Sequence, residues 1–319
     1  MQEFQTFMSS LSIGQPTSVD GLSVYPLLRT SPSAPFYDTL SDAVGAGTLH
    51  ISEVSDAGRV PELLVVNDGA RPVLIIDGEE LVGAKQNRIV NLTVLVPELA
   101  TITLPVTCVE AGRWRHVSKE FASAERAYHA SGRRSKLSQV SMSMLTNSSR
   151  KADQSAVWSE IAQKSERFGA RSVTGAAAAM YEQRRDALDR IIASIKPMDQ
   201  QVGALFTIRG MIAGFDAFDH PRTWAQTVPK LLRSYGLDAL DTTIGGDGFA
   251  TPDLQRFVEA VSCATCTVYP AVGAGRDLRF EGGGIVGAAL ETTKGVVHAV
   301  AFPASDVIRP TIRRGFGLH

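Results

Sequence analysis

The chain has few cysteines, no long apolar run and almost no net charge, and each deficit excludes a class of protein. Three cysteines among 319 residues are too few for a disulfide framework, which favours a reducing compartment. No stretch of eighteen apolar residues occurs, and the first residues lack the basic region and apolar run of a secretory signal. We therefore predict a cytoplasmic protein that does not associate with a membrane.

The charge balance argues against a general nucleic-acid-binding protein. The 32 Lys and Arg residues nearly match the 33 Asp and Glu residues, which gives a net charge of −1. Such a balance provides no overall attraction to nucleic acid or to an anionic membrane. Hydrophobic residues make up 44% of the chain, as in ordinary globular proteins, and a chain of this length can bury a sizeable core.

The pattern of elements predicts an α+β fold with an antiparallel, β-rich, sandwich-like core and several packing helices. We expect one interwoven domain over residues 1–319, β-rich at 15–114, helical at 150–196 and mixed at 200–319, because no low-complexity linker divides it. In the first stretch, Gly, Pro and Asp residues separate short apolar runs. The strands predicted there are LSVYPLL, LHISEV, LLVVN, PVLIID, IVNLTVLV and TITLPVTCV.

Helical spacing of apolar residues predicts several helices. Residues 1–11 form a short amphipathic helix, whose exposure would favour a homodimer, and residues 37–44 form another. Asp153 is a plausible N-cap for a helix that ends at Gly169, and a further helix is predicted at 176–195. Pro221 opens a helix that is expected to stop before Gly236, and the sequence TPD at 251–253 starts the last one.

The segment 115–150 is polar, rich in Ser and Arg, and weakly patterned. We expect a broken helix or a mobile loop there, and the role of residues 131–151 stays open. The short basic run of Arg133, Arg134 and Lys136 could contact a phosphate, but such runs are usually solvated surface. The CxxC sequence at 263–266 lacks further ligands at metal-binding spacing, so two small structural residues are the simpler interpretation.

Two neighbouring strands predict a hairpin with a polar end. In TITLPVTCVE, apolar residues alternate from 102 to 108, and Glu110 continues the core-facing side. In the preceding strand, Gln86 and Arg88 continue the apolar side of residues 90–96. If Val96 faces Ile102, then Arg88 faces Glu110, and we predict an ion pair at the edge of the core. A slip of two residues would keep the alternation but separate this pair.

The polar end also receives residues from DGEELVGAKQNR before the hairpin and from GRW after it. Solvated turn residues beside one structural ion pair are the simple alternative to a functional site. The motifs GEELVGAKQNR and CVEAGRW, in a likeness that runs from about residue 14 to 236, closely resemble the "ARG and rhodanese-phosphatase superfamily associated protein" domain family. The residues that match its motifs and the strand between them are Glu79, Glu80, Lys85, Gln86, Arg88, Asn91, Cys108, Glu110, Arg113 and Trp114.

The resemblance implies a setting in ADP-ribose, NAD or nucleotide chemistry, because the family name records association with ADP-ribosylglycohydrolases and with rhodanese or phosphatase domains. One hypothesis is an enzyme with Glu80 or Glu110 as general acid or base. Glu110 would be a poor base if Arg88 neutralised it. In that hypothesis the other matched residues bind a nucleotide-like substrate, with phosphate at Lys85, Arg88 and Arg113 and a base or ribose on Trp114.

The alternative hypothesis is a non-catalytic module that binds a nucleotide or assembles with a partner protein through the same polar residues. A third hypothesis, a metal-assisted site built from Cys108, Glu110 and a histidine, ranks last, and we assign no metal. The sequence identifies no cofactor.

Overall fold

The computed structural model describes residues 2–30, 34–55, 61–242 and 253–304. The predicted α+β class is confirmed. The described helices are α1 (Gln2–Ser9), α2 (Leu40–Gly45), α3 (Ala130–Asn147), α4 (Gln154–Phe168), α5 (Ala178–Gln183), α6 (Arg185–Ser194), α7 (Pro221–Ala239) and α8 (Leu254–Cys263). No described helix is both long and apolar enough to cross a membrane.

The strands form three sheets. Those described are β1 (Ser12–Ile13), β2 (Thr17–Val19), β3 (Leu22–Leu28), β4 (Asp38–Thr39), β5 (Leu49–Glu53), β6 (Glu62–Asn67), β7 (Val73–Ile75), β8 (Glu79–Gly83), β9 (Arg88–Val90), β10 (Val94–Val96), β11 (Ala100–Cys108), β12 (Phe121–Ala127), β13 (Gln201–Ile208), β14 (Met211–Phe218), β15 (Thr265–Pro270), β16 (Arg276–Gly282), β17 (Ile285–Thr292) and β18 (Gly295–Pro303).

The largest sheet is antiparallel and joins the two ends of the chain. Its nine strands run in the order β1-β3-β13-β14-β18-β17-β16-β15, with β2 paired to β3. A six-stranded antiparallel sheet has the order β12-β8-β9-β11-β6-β5. The third sheet, β10-β7-β4, contains a parallel pair, β4 with β7. Four of the candidate residues, Glu79, Glu80, Arg88 and Cys108, lie on strands of the six-stranded sheet.

Helices cover both faces of the nine-stranded sheet. On one face, α7 buries Trp224 and stacks Tyr235 on Phe206 with ring centroids 3.8 Å apart. On the other face lie α1 and α8, and Phe4 of α1 contacts Phe280. The helix predicted at 1–11 is thus confirmed as α1, but its apolar side is buried within the chain. An exposed α1 was the basis for expecting a homodimer, and that basis is absent.

The helix predicted after Asp153 is confirmed. The Asp153 carboxylate accepts hydrogen bonds from the backbone of Ser155 and Ala156, and Gly169 ends α4 with a φ of 63°. Residues 176–195 instead form two helices, α5 and α6, which meet at Arg184. At 251–253, the structure describes only Asp253, which caps α8.

The prediction that α7 stops before Gly236 is wrong, because the helix continues to Ala239. A Cβ at Gly236 would lie 3.1 Å from Leu188 and 3.2 Å from Ile191, both of which belong to α6. This glycine therefore permits two helices to approach closely and does not end one of them.

The prediction of a broken helix or loop at 115–150 is wrong as well. The segment contains β12 and the eighteen-residue helix α3. Arg133 and Lys136 are fully buried, so they are not solvated surface. The guanidinium of Arg133 donates to both carboxylate oxygens of Asp216, at 2.7 and 3.1 Å, and Lys136 pairs with Asp77. The polar pattern of α3 reflects buried ionic partners that are distant in sequence.

The predicted hairpin is also wrong. Its first strand is interrupted at residues 91–93, so that β9 pairs with β11 while β10 pairs with β7. Within the first pair, Val90 faces Val106 and Arg88 faces Cys108, which is a shift of two residues from the predicted register. β11 lies between β9 and β6: its last three residues pair with β9, and residues 100–105 pair with β6. The inward side is as predicted, but Arg88 and Glu110 do not form a pair.

Candidate functional site

Seven of the ten sequence-selected residues meet around β9, β11 and the loops that follow β8 and β11. Gln86 connects them: its amide oxygen accepts from Arg88 at 2.6 Å and from the Cys108 thiol at 3.1 Å, and its amide nitrogen donates to the Glu110 backbone. Together with Glu53, which lies against Arg88, we call these residues the Arg88 cluster; they are Glu53, Lys85, Gln86, Arg88, Cys108, Glu110, Arg113 and Trp114.

Arg88 is fully buried, and two of its three nitrogens lack a hydrogen-bond partner among the described residues. The carboxylate of Glu53 lies 3.9 Å from Nη2 of Arg88, beyond hydrogen-bond distance. Its side chain is 5% exposed, and neither of its oxygens has a hydrogen-bond partner in the described part of the chain. Buried charges without hydrogen bonds are costly, so this arrangement suits a group that inserts between them.

Sequence reasoning missed Glu53. It is the last residue of β5, where Leu49 and Ile51 point into the core. Glu53 has the same parity as these two residues, which is the signal that identified Glu110 on another strand. Applied to LHISEV, that argument would have found it.

Glu110 forms a structural ion pair with Arg113. The guanidinium of Arg113 donates to the carboxylate at 2.8 Å, and the hydroxyl of Thr174 and the backbone N–H of Asn87 donate to it as well. Burial raises the pKa of Glu110, but these hydrogen bonds outweigh burial and hold it below its ordinary value. Arg113 also donates to the backbone oxygen of Ala84. The pair fixes two loops, and Glu110 is a poor general base.

Cys108 is a buried thiol at neutral pH. Burial raises its pKa, although a hydrogen bond with the Glu110 backbone and the charge of Arg88 act in the opposite direction. The thiol donates to Gln86, as described above. A cysteine nucleophile needs a lowered pKa, so this environment does not activate Cys108.

The other three selected residues have partners outside the Arg88 cluster. Glu80 accepts two hydrogen bonds from Arg126, at 2.7 and 2.9 Å, and Glu79 pairs with Lys230. The amide of Asn91 accepts from the Thr107 hydroxyl and donates to a backbone oxygen. These contacts fix the strands to their neighbours and leave Glu80 no free oxygen for acid–base chemistry.

Two cavities lie away from the Arg88 cluster, and neither contains a residue selected from the sequence. One, of about 400 Å³, lies between α3 and β15–β17. The other, of about 270 Å³, lies where α1 and the start of α7 approach each other. In the described ranges no group of three or more His, Cys, Asp or Glu side chains is arranged to hold a metal ion. Cys263 is exposed and Cys266 half-buried.

No curated protein and no solved structure matches the chain. One family model does match, over residues 10–302, and it is described as the ARG and Rhodanese-Phosphatase-superfamily-associated Protein domain. The match includes every residue of the Arg88 cluster and confirms the resemblance seen in the two sequence motifs. The chain therefore belongs to the ARG and Rhodanese-Phosphatase-superfamily-associated Protein domain family.

Proposed function

We propose that the Arg88 cluster binds a nucleotide-like ligand such as ADP-ribose. The observation that carries this proposal is the buried pair of Arg88 and Glu53, four of whose five side-chain polar atoms have no hydrogen-bond partner among the described residues. A diphosphate offers acceptors to Arg88, and a ribose hydroxyl offers a donor to Glu53. One ADP-ribose molecule supplies both groups.

Trp114 supports a ligand that also carries a planar ring. Its side chain is 49% exposed, and the charged ends of Lys85 and Arg88 lie 5.2 and 5.8 Å from its ring centroid. An aromatic base that stacks on such a ring contributes about 1–3 kcal/mol to binding. The neighbouring positive charges suit the phosphates of the same ligand.

The contacts favour binding over acid–base catalysis by the residues first selected. Glu80 and Glu110 are engaged by Arg126 and Arg113, and Cys108 is not activated. A second candidate function is turnover of the same ligand with Glu53 as the base. Both of its carboxylate oxygens lack a hydrogen-bond partner in the described ranges, which favours this candidate within the cluster.

Calorimetric titration of ADP-ribose, AMP and inorganic phosphate into the protein tests the proposal. We expect saturable binding of ADP-ribose and weaker binding of AMP. Trp114→Ala should weaken ADP-ribose binding about tenfold or more, because it removes the stacking surface. Leu145→Ala, which changes another exposed apolar residue far from the cluster in sequence, is the control and should bind normally. Absence of binding, or equal affinity in Trp114→Ala, would refute the proposal.

Incubation with NAD or an ADP-ribosylated peptide, followed by product analysis, separates the two candidate functions. Saturable binding without product supports a binding module. Turnover that disappears in Glu53→Gln supports the enzyme, whereas turnover that survives this change excludes Glu53 as its base.

A further inference from the structure

A second polar cleft lies outside the Arg88 cluster. It has a volume of about 270 Å³ and forms between α1, the end of β3, the start of α7 and the turn from β17 to β18. We call it the Asp219 cleft. The residues that carry the argument are Phe7, Arg29, Phe36, Asp219, His220 and Lys294.

Two cations in the cleft lie on aromatic rings. The guanidinium carbon of Arg29 is 5.2 Å from the ring centroid of Phe7, and Nζ of Lys294 is 4.2 Å from that of Phe36. Within the described residues, neither cation forms an ion pair with a carboxylate. A ring face orients a cation without neutralising it, so Lys294 keeps its charge for an anion, and the charge of Arg29 acts on Asp219 in the same cleft.

The start of α7 adds a donor and a positive helix end. Nδ1 of His220 accepts a hydrogen bond from the backbone of Arg222 at 3.0 Å, so the neutral ring carries its proton on Nε2. Burial, followed by the charge of Arg222, lowers the pKa of His220, which keeps the ring neutral near pH 7. The N-terminus of this nineteen-residue helix favours negative charge.

Asp219 can change between repelling and binding an anion. The hydroxyl of Tyr37 donates to its carboxylate, and the Thr223 hydroxyl lies 2.9 Å from the same Tyr37 oxygen. Burial raises the pKa of Asp219 to about 6, although Tyr37 and Arg29 oppose this. A protonated carboxyl can donate a hydrogen bond to an anion, whereas the ionised form opposes its binding.

We infer that the Asp219 cleft binds a small oxyanion, a phosphomonoester or a carboxylate, between Arg29 and Lys294, with Asp219 as its pH-dependent regulator. The site is distinct from the nucleotide-binding function proposed above. The volume is slightly below the roughly 300–1,000 Å³ of drug-sized ligand pockets, which favours a small ligand. Besides the two cations and His220, the titratable groups around Asp219 are Tyr37, which donates to it, and Glu3 of α1, which lines the same cleft.

Calorimetry with sulfate tests this inference, because the charge of sulfate is constant between about pH 5.5 and about pH 8. We expect tighter binding at the lower pH in the wild-type protein. Lys294→Met, a change at an exposed position, should weaken binding about tenfold or more. Glycerol phosphate and acetate, titrated in parallel, show whether the site prefers a tetrahedral or a planar anion.

Asp219→Asn distinguishes a ligand site from a structural role. It should bind sulfate at about pH 8 more tightly than the wild type does, and its affinity should depend on pH less than that of the wild type. Arg185→Met, which removes an exposed cation outside the cleft, is the control and should bind like the wild type. No saturable binding of any anion, or full affinity in Lys294→Met, would overturn the site. A pH dependence as large in Asp219→Asn as in the wild type would overturn the role of Asp219.

Discussion

The guanidinium of Arg88 and the carboxylate of Glu53 lie 3.9 Å apart, both buried, and most of their polar atoms have no hydrogen-bond partner in the described part of the chain. Arg133 and Asp216 differ from them in this respect, since they form two direct hydrogen bonds. The satisfied pair connects α3 to the nine-stranded sheet, whereas the unsatisfied pair suits a ligand. This contrast underlies the proposed function.

Asp216→Asn should lower the free energy of unfolding by about 3–5 kcal/mol, because it leaves the buried Arg133 with less compensating charge. Chemical denaturation near neutral pH measures this change. The matched control is Glu182→Gln, which removes an exposed ion pair with Arg185 and should cost less than about 1 kcal/mol. Equal losses in the two variants would contradict the structural role of Asp216.

His129 should make the protein less stable in mild acid. Burial, followed by the charge of Lys164, lowers its pKa from 6.5 to about 3. As the pH falls, the unfolded chain therefore takes up this proton first. The stabilisation is complete above about pH 6.5 and is lost progressively toward pH 3. Denaturation at about pH 7.5 and about pH 4.5 measures the loss, which we expect to be a few kcal/mol.

His129→Asn is the test variant, because asparagine can still cap α3 but does not titrate. Its stability should fall less between the two pH values than that of the wild type. Glu160 changes stability in the opposite direction, since burial raises its pKa to about 7, but it is present in both proteins. His116→Asn, at an exposed position, is the control. Parallel pH profiles for His129→Asn and the wild type would refute the assignment.

Cys108 should resist alkylation in the native protein, because it is buried and its pKa is raised. Cys263 is exposed and should react with iodoacetamide first. Mass spectrometry of peptides after a timed reaction distinguishes the two. Modification of native Cys108 as rapid as that of Cys263 would show an activated thiol and would favour a catalytic cysteine.

Local signals in the sequence predicted α4 well, since Asp153 and Gly169 carry the start and stop information within one turn of each end. The same local signals did not predict α3, because the sequence pattern indicated that Arg133 and Lys136 are exposed to solvent. Their partners, Asp216 and Asp77, lie 83 and 59 residues away. Only the tertiary structure shows that these charges are paired.

The candidate site shows the same division. The alternation of apolar residues correctly predicted that Arg88 points into the interior. A shift of two residues leaves this alternation unchanged, so it could not identify the residue that faces Arg88 on the neighbouring strand. The first predicted strand breaks at residues 91–93, so that β10 pairs with β7 and only β9 lies beside β11, and the alternation of apolar residues does not encode that break. The same alternation would have predicted that Glu53 points into the core. It could not have predicted that Glu53 lies near Arg88, because β5 and β9 are not adjacent in the six-stranded sheet.

The most direct test of the proposed function is a calorimetric titration of ADP-ribose into the wild-type protein and Glu53→Gln, with the exposed change Glu259→Gln as the control. Loss of a charged hydrogen bond to a ribose hydroxyl should weaken binding about tenfold or more in Glu53→Gln, while the control should match the wild type. Equal affinity in all three proteins, or no binding by the wild type, would contradict the account.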